Sequence, residues 1–89
     1  MLLHVKSAEY IRDHKLRVEF SDGVVKEVDL SHDLYGEVFE PLKKEEFFRQ
    51  FRVDEETRTV AWPNGADFAP EYLYEIGREI VQVTQNDPA

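Results

Sequence analysis

A hairpin pattern in residues 14–30 constrains the fold of this chain more than any other feature. From His14 to Phe20, apolar and charged side chains alternate: Leu16, Val18 and Phe20 against Lys15, Arg17 and Glu19. A period of two places the apolar side chains on one face of a half-buried β-strand. The turn-forming residues Ser-Asp-Gly follow at 21–23, and Val24 to Leu30 predicts a second strand.

The charges on the two strands choose the register of this hairpin. A two-residue loop would set Leu16 opposite Asp29 and mix apolar with acidic side chains on one face. A three-residue loop pairs Phe20 with Val24 and keeps the apolar side chains together. It also places opposite charges across from each other on the outer face, where such pairs stabilise a sheet: Arg17 with Glu27, and Lys15 with Asp29. We therefore predict the three-residue loop, with Gly23 in the left-handed conformation.

The rest of the chain predicts one strand before this hairpin and mixed elements after it. Leu3 to Ile11 predicts a strand with a bulge, and residues 31–36 predict a helical turn capped by Ser31 and ended by Gly36. A helix is predicted over Leu42 to Phe51, with Phe47, Phe48 and Phe51 facing the core, and a hairpin follows around the loop Asp54 to Arg58. The last helix begins at Pro70 and places on one face Leu73, Ile76, Ile80 and Val83 or Thr84. The order β-β-β-α-β-β-α predicts an α+β fold, a small antiparallel sheet with helices packed on it.

Length and composition fit one small domain, which we place at residues 1–84 with a loose tail at 85–89. A chain of this mass buries about 64% of its surface on folding, and it has no Cys with which to form a disulfide. The formal net charge of -8 argues against direct binding of nucleic acid, which needs a basic patch. Apolar runs fall short of the ~18 residues of a membrane span, and the N-terminus lacks a signal-peptide pattern. We expect a soluble, cytoplasmic protein that does not bind membranes.

Residues that carry chemistry are sparse. The 4 Gly residues stand singly, so no phosphate-binding loop is present, and the His residues lack metal-ligand spacing. Asp29, His32 and Asp33 are of types that chelate divalent ions, but a strand end followed by a capped polar turn is the simpler interpretation. Neighbouring carboxylates such as Glu45 and Glu46 point apart and make poor acid/base pairs. We predict no catalytic residue, no metal site and no cofactor.

The acidic side chains concentrate in the second half of the chain. Residues 1–44 hold 7 basic and 9 acidic side chains, a net charge of -2, whereas residues 45–89 hold 4 and 10, a net charge of -6. In the predicted last helix, Glu71, Glu75 and Glu79 line up at a spacing of four residues. Such a stripe has two interpretations: a solvated face that keeps the protein soluble, or a surface that steers a basic protein partner.

The most distinctive stretch is Trp62-Pro63-Asn64-Gly65-Ala66-Asp67. We interpret it mainly as structural. Trp62 ends a strand as a core anchor, Pro63 stops the ladder, and Asn64 with Gly65 reverses the chain. Asp67 favours the positive end of the following helix. The alternative is that this rigid turn forms a recognition edge.

These residues also carry a resemblance that runs over about residues 3–77. Its landmarks are Phe20-Ser21-Asp22-Gly23, Val28-Asp29-Leu30-Ser31, Val38-Phe39-Glu40-Pro41-Leu42 with Phe47-Phe48, the stretch from Trp62 to Asp67, Pro70-Glu71 and Leu73-Tyr74. In this the chain resembles the small bacterial family known as domain of unknown function 2442. The resemblance implies an α+β fold and no established activity. It also implies relatives that stand alone, relatives that end in a helix-turn-helix, and relatives encoded beside another small protein in a toxin–antitoxin-like pair.

The chain departs from that family in two respects. Ala69 stands where the family often has Asp before the proline, which removes a helix cap, and the residues after Gly77 are too few for a helix-turn-helix. The leading hypothesis is a non-enzymatic interaction module, antitoxin-like, that binds a small basic protein through Glu71, Glu75 and Glu79. The alternatives are a regulatory domain of a helix-turn-helix-linked transcription system and a small-ligand binder that uses the Trp62 to Asp67 turn. A homo-oligomer is also compatible with the sequence.

Overall fold

Antiparallel strands and short helices alternate through residues 2–80, the part of the chain that the computed structural model describes. The elements are β1 Val5–Arg12, β2 Lys15–Phe20, β3 Val25–Asp29, a 3₁₀ helix Glu40–Lys43, α1 Glu45–Phe48, β4 Arg52–Asp54, β5 Thr59–Ala61, α2 Pro70–Ile76 and β6 Arg78–Glu79. One sheet has the strand order β1-β2-β3-β6, and β4 pairs with β5 in a second sheet. All of these pairs are antiparallel. The α+β fold predicted from the sequence is confirmed.

The β2–β3 hairpin has the register that the charges predict. Leu16 pairs with Val28 on the inner face, and the outer face sets opposite charges across from each other: Arg17 with Glu27, and Lys15 with Asp29. The backbone N–H of Phe20 donates to the carbonyl of Val24 at 2.9 Å, which closes the three-residue loop. Gly23 has a φ of 90°, in the left-handed region. In β1, the predicted bulge is also present, as register shifts near both ends of the strand.

The core lies between the inner face of the large sheet and the aromatic residues of the second half of the chain. Leu16, Val18, Phe20 and Val28 supply the sheet side, and Leu42, Phe48, Val60, Trp62 and Leu73 lie opposite in the same buried cluster. Trp62 is 2% exposed and its indole Nε1 donates to the carbonyl of Phe48 at 2.7 Å. Trp62 is therefore a core residue, with its polar atom satisfied by the backbone it packs against.

The predicted middle helix, Leu42 to Phe51, is present only as the short α1, Glu45–Phe48, preceded by the 3₁₀ helix. The backbone of Lys44 is extended, with φ -86° and ψ 126°, and it separates the 3₁₀ helix from the single turn of α1. Phe48 is buried, whereas Phe47 and Phe51 are only half-buried. In place of the predicted helical turn capped by Ser31, residues 30–33 form a turn closed by the Asp33 N–H and the Leu30 carbonyl at 3.0 Å. Ser31 donates to Oδ1 of Asp29 through both its N–H and its hydroxyl.

The last helix ends earlier than the sequence predicts. It stops at Ile76, Gly77 is extended, and the chain then continues as β6 beside β3. Lys26 lies on the inner face of the hairpin, paired with Val18. Its ammonium donates to the carbonyl of Tyr74 at 2.6 Å and lies 3.8 Å from the centre of that ring, so α2 covers this end of the face.

The residues predicted to share one apolar helix face therefore lie on different elements of the structure. Leu73 is buried, Ile76 is 36% exposed, and Ile80 follows β6 with its N–H bonded to the carbonyl of Val25. Val83, Thr84, the predicted boundary at 84 and the tail at 85–89 lie outside the described residues. Within the described part of the chain, no helix is long and apolar enough to cross a membrane.

Candidate functional site

The large apolar side chains that are most exposed gather on two segments of the chain. Five such side chains are exposed among residues 2–80, and Leu2 is the one that lies elsewhere. The other four lie on the loop before the 3₁₀ helix and on α2, and we call them the tyrosine surface: Tyr35, Val38, Tyr72 and Ile76. Tyr35 is 73% exposed. An apolar group of this kind on an otherwise charged protein is typical of a binding site.

Two hydrogen bonds tie the loop and helix segments together. The hydroxyl of Tyr72 donates to the carboxylate of Asp33. The side-chain amide of Asn64 donates to the carbonyl of Val38 at 2.9 Å. Because both bonds join residues far apart in sequence, they fix the loop against the turn and the helix that follow Trp62.

A stack of three aromatic rings supports Tyr72 from below. The rings of Phe39 and Phe68 are stacked with 4.8 Å between their centres, and those of Phe68 and Tyr72 with 5.8 Å. Phe68 is 9% exposed and packs edge-on against Trp62. The tyrosine surface is therefore joined to the core by stacked rings.

The environment of Tyr72 keeps its hydroxyl protonated. Its hydrogen bond to Asp33 raises the pKa of Tyr72 to about 12, and partial burial, the charge of Asp33, and the nearby Tyr35 and Glu75 act in the same direction. The phenol thus stays a neutral hydrogen-bond donor at physiological pH. The hydrogen bond places Asp33 against Tyr72, and Glu75 lies three residues after Tyr72 on α2.

The two segments that build the tyrosine surface carry charge of one sign. Residues 31–40 and 62–77 contain no Lys or Arg. They contain six acidic residues: Asp33, Glu37, Glu40, Asp67, Glu71 and Glu75. Glu40 is paired with Lys43 at 2.9 Å. The other five acidic residues lie on the same two segments as the exposed apolar side chains.

The structure keeps only part of the predicted acidic stripe. Glu71 and Glu75 are exposed on α2. Glu79 is not on the helix, because it lies in β6 opposite Lys26. Sequence reasoning considered Asp33 only as a metal ligand. It did not identify as site residues the four exposed apolar side chains, Tyr35, Val38, Tyr72 and Ile76. The absence of Lys and Arg from both segments was a readable signal, but the contact of Tyr72 with Asp33 spans 39 residues and was not.

The Trp62 to Asp67 stretch closes on itself as a turn. The N–H of Trp62 donates to the carbonyl of Ala66, and the N–H of Gly65 donates to the carbonyl of Trp62, both at 2.9 Å. Oδ1 of Asn64 accepts from the N–H of Ala66 at 3.2 Å. Asp67 is exposed and its backbone bridges to Ala61. The N-cap residue of α2, Ala69, makes no side-chain cap bond.

A second cluster, Tyr10, His14 and Glu45, resembles an acid/base group but is fully engaged in the fold. The Glu45 carboxylate accepts from the hydroxyl of Tyr10 and from the backbone N–H of His14. His14 places Nδ1 3.2 Å from that carboxylate and Nε2 2.8 Å from the carbonyl of Leu42. A carbonyl only accepts, so Nε2 is the donor there. Both ring nitrogens are occupied, and the cluster fastens the β1–β2 turn to α1.

Groups able to hold a metal ion do not form among the described residues. No three His, Asp or Glu side chains converge there. Of the three residues considered from the sequence, the carboxylate of Asp29 accepts hydrogen bonds from Ser31, and the carboxylate of Asp33 accepts one from Tyr72.

Comparison with known proteins identifies the family of this chain. The family described as "Protein of unknown function (DUF2442)" matches residues 5–79. The comparison with curated proteins gave no match, and the comparison with solved structures gave none. The matched range runs from the first residue of β1 to the last residue of β6 and so includes the whole described fold. The chain belongs to the DUF2442 family.

Proposed function

We propose that this protein is a non-enzymatic interaction module that binds a small basic protein through its acidic second half. The observation that carries the proposal is the tyrosine surface, an exposed apolar group within two segments that contain acidic residues and no Lys or Arg. An antitoxin-like role is the form of this function that the family resemblance suggests.

Charge of one sign around this surface supports a binding role over mere solubility. A surface that only keeps a protein in solution works with both signs interspersed, and the outer face of the large sheet has that arrangement, with Lys6 near Glu19 and Arg17 across from Glu27. A one-sign surface raises the encounter rate with a partner of opposite charge. The contrast between these two faces is what steering of a basic partner requires.

The test compares two pairs of charge-removing substitutions. The partner is first recovered by purifying the native protein from its host and identified by mass spectrometry. Its association rate is then measured with the parent, with Glu71→Gln/Glu75→Gln, and with Glu9→Gln/Asp13→Asn as the matched control, which also removes two negative charges. Glu9 on β1 and Asp13 in the turn after it are exposed and lie in the first half of the chain.

We expect the α2 variant to associate more slowly than the control at low salt, with the difference shrinking as salt rises. Equal rates for the two variants would reduce the effect to net charge alone and contradict a partner site on α2. Recovery of an acidic partner would contradict the proposal as a whole.

A further inference from the structure

The tyrosine surface is held in place before any partner arrives. Tyr72 is stacked on Phe68 and hydrogen-bonded to Asp33, and the carbonyl of Val38 is bonded to Asn64. A surface that is already ordered loses little conformational entropy on binding, and tyrosine provides a large contact area with few rotatable bonds. This geometry suits a docking platform.

The charges around the platform select the chemistry of its occupant. The Asp33 carboxylate accepts the hydrogen bond of the Tyr72 hydroxyl, and Tyr35 follows Asp33 by two residues on the same loop. Glu75 is exposed on α2, three residues after Tyr72. Lys43, which lines the cavity next to Tyr35, has its charge paired with Glu40. An occupant that contacts the tyrosine rings therefore meets carboxylates at their edge, and a cation is favoured there.

Arginine fits this combination better than lysine. A guanidinium group stacks on an aromatic face and at the same time presents a planar fork to a carboxylate, whereas an ammonium group is a compact and strongly hydrated charge. Aromatic residues and Arg are also the residue types most enriched at interface centres.

We propose that an arginine-bearing segment of a basic protein docks on the tyrosine surface, with a guanidinium group stacked on Tyr35 and paired with the neighbouring carboxylates of Asp33 and Glu75. Apolar side chains of the same segment cover Val38 and Ile76. This inference rests on the proposed function and names the contact residues within it.

The test uses three synthetic peptides of equal length, in which leucine alternates with arginine, with lysine or with glutamate. Binding is measured by fluorescence anisotropy and mapped by the backbone amide shifts of the ¹⁵N-labelled protein. We expect the arginine peptide to bind more tightly than the lysine peptide, the glutamate peptide not to bind, and the shifted amides to lie in residues 31–40 and 62–77.

Substitutions at Tyr35 separate the ring from the general charge. Tyr35→Ala is expected to weaken binding of the arginine peptide about fivefold, which is the scale of one cation–π contact. Tyr35→Phe keeps the ring face and is expected to bind as the parent does. Leu2→Ala is the matched control, since Leu2 is 72% exposed and lies outside the surface.

The outcomes distinguish this inference from the proposed function. If Tyr35→Ala binds as well as the parent while Glu71→Gln/Glu75→Gln binds more weakly, the tyrosine contact is wrong and the acidic site stands. Equal binding of the arginine and lysine peptides also contradicts the stacked guanidinium. If neither basic peptide binds, both proposals fail.

Discussion

At the scale of single residues, Glu45 connects more of the structure than any other carboxylate described above. It joins Tyr10 on β1 and the backbone of His14 to the first turn of α1. Asp13 and His14 both have positive φ, at 50° and 63°, a conformation that costs free energy in residues other than glycine. The bond from the His14 N–H to the Glu45 carboxylate holds this turn against α1.

Glu45 gives the protein a predictable response to acid. The hydrogen bond from Tyr10, together with that from the His14 backbone and the nearby charges of His14 and Arg49, holds the pKa of Glu45 below its usual 4.5. Because the folded-state pKa is lowered, its contribution to stability is fully present above pH 4.5 and is lost as the pH falls through the folded-state pKa. We expect Glu45→Gln to be less stable than the parent at pH 7 and to lose less stability on acidification.

Urea unfolding measured over a pH series checks this expectation. Glu46→Gln is the control, because Glu46 is the exposed neighbour of Glu45 on the same turn. An unchanged pH dependence in Glu45→Gln would show that the cluster contributes nothing through that carboxylate.

Trp62, unlike Glu45, stabilises the fold mainly because its side chain is buried. Its ring packs against Phe48 at 5.5 Å and Phe68 at 5.9 Å, and its Nε1 satisfies the carbonyl of Phe48. We expect Trp62→Ala to lower the free energy of unfolding by about 3–5 kcal/mol. Trp62→Phe should cost less, since it keeps most of the apolar volume and loses the hydrogen bond. Chemical denaturation of the two variants measures both values, and a near-neutral Trp62→Ala would contradict the core assignment.

At the scale of elements, the sequence is most informative where the interactions are local. The β2–β3 register follows from neighbouring charges and from Gly23, all within residues 15–29, and it is correct. The middle helix is shorter than predicted, and its residues make contacts with distant partners that local helix preference does not include. Phe48 is buried against Trp62, which uses the Phe48 carbonyl. Near the early end of α2, Lys26 likewise bonds to the Tyr74 carbonyl across 48 residues, a contact that no local pattern predicts.

The same distinction applies to the candidate site. Glu71 and Glu75 were found from their spacing on one helix. Asp33 and Tyr35 belong to an irregular loop whose position depends on bonds to Tyr72 and Asn64. No periodicity marks such residues. Only the charge composition of the two segments points to them.

Gly77 allows the end of α2 to be tested as an element. Its φ of -75° is ordinary, so glycine is not needed there for its conformation. A Cβ atom at this position would lie 2.9 Å from the carbonyl oxygen of Leu73 and 3.0 Å from Cβ of Lys26. Either α2 or β3 must then move.

We expect Gly77→Ala to lower the free energy of unfolding by about 1–3 kcal/mol, as overpacked positions do. The measurement is urea denaturation, with Ile76→Ala as a control one residue earlier. Amide shifts in β3 should accompany the loss of stability, because β3 supplies Lys26. A Gly77→Ala variant as stable as the parent would mean that α2 does not pack this tightly on β3.

At the scale of the whole molecule, a net charge of -8 opposes compact folding through self-repulsion. This repulsion is not spread evenly over the surface. The outer sheet face interleaves signs, as in the pair of Arg78 and Glu27 at 3.9 Å. The segment 62–77 holds acidic residues without any basic ones. If this segment is a binding surface, removal of its charge should stabilise the fold while weakening the association.

Glu75 is the residue at which these two effects separate most clearly. It is the penultimate residue of α2, at the negative end of the helix dipole, and it lies one turn after Glu71, a like charge. Glu71 lies in the first turn, where the dipole favours it. We therefore expect Glu75→Gln to raise the free energy of unfolding by a few tenths of a kcal/mol at low salt, and Glu71→Gln to give no such gain. Both variants should bind the arginine peptide more weakly than the parent. Urea unfolding at low and high salt and peptide anisotropy on the same samples provide the two readouts. A Glu75→Gln variant that is more stable and binds unchanged would identify this part of α2 as a solvated face alone.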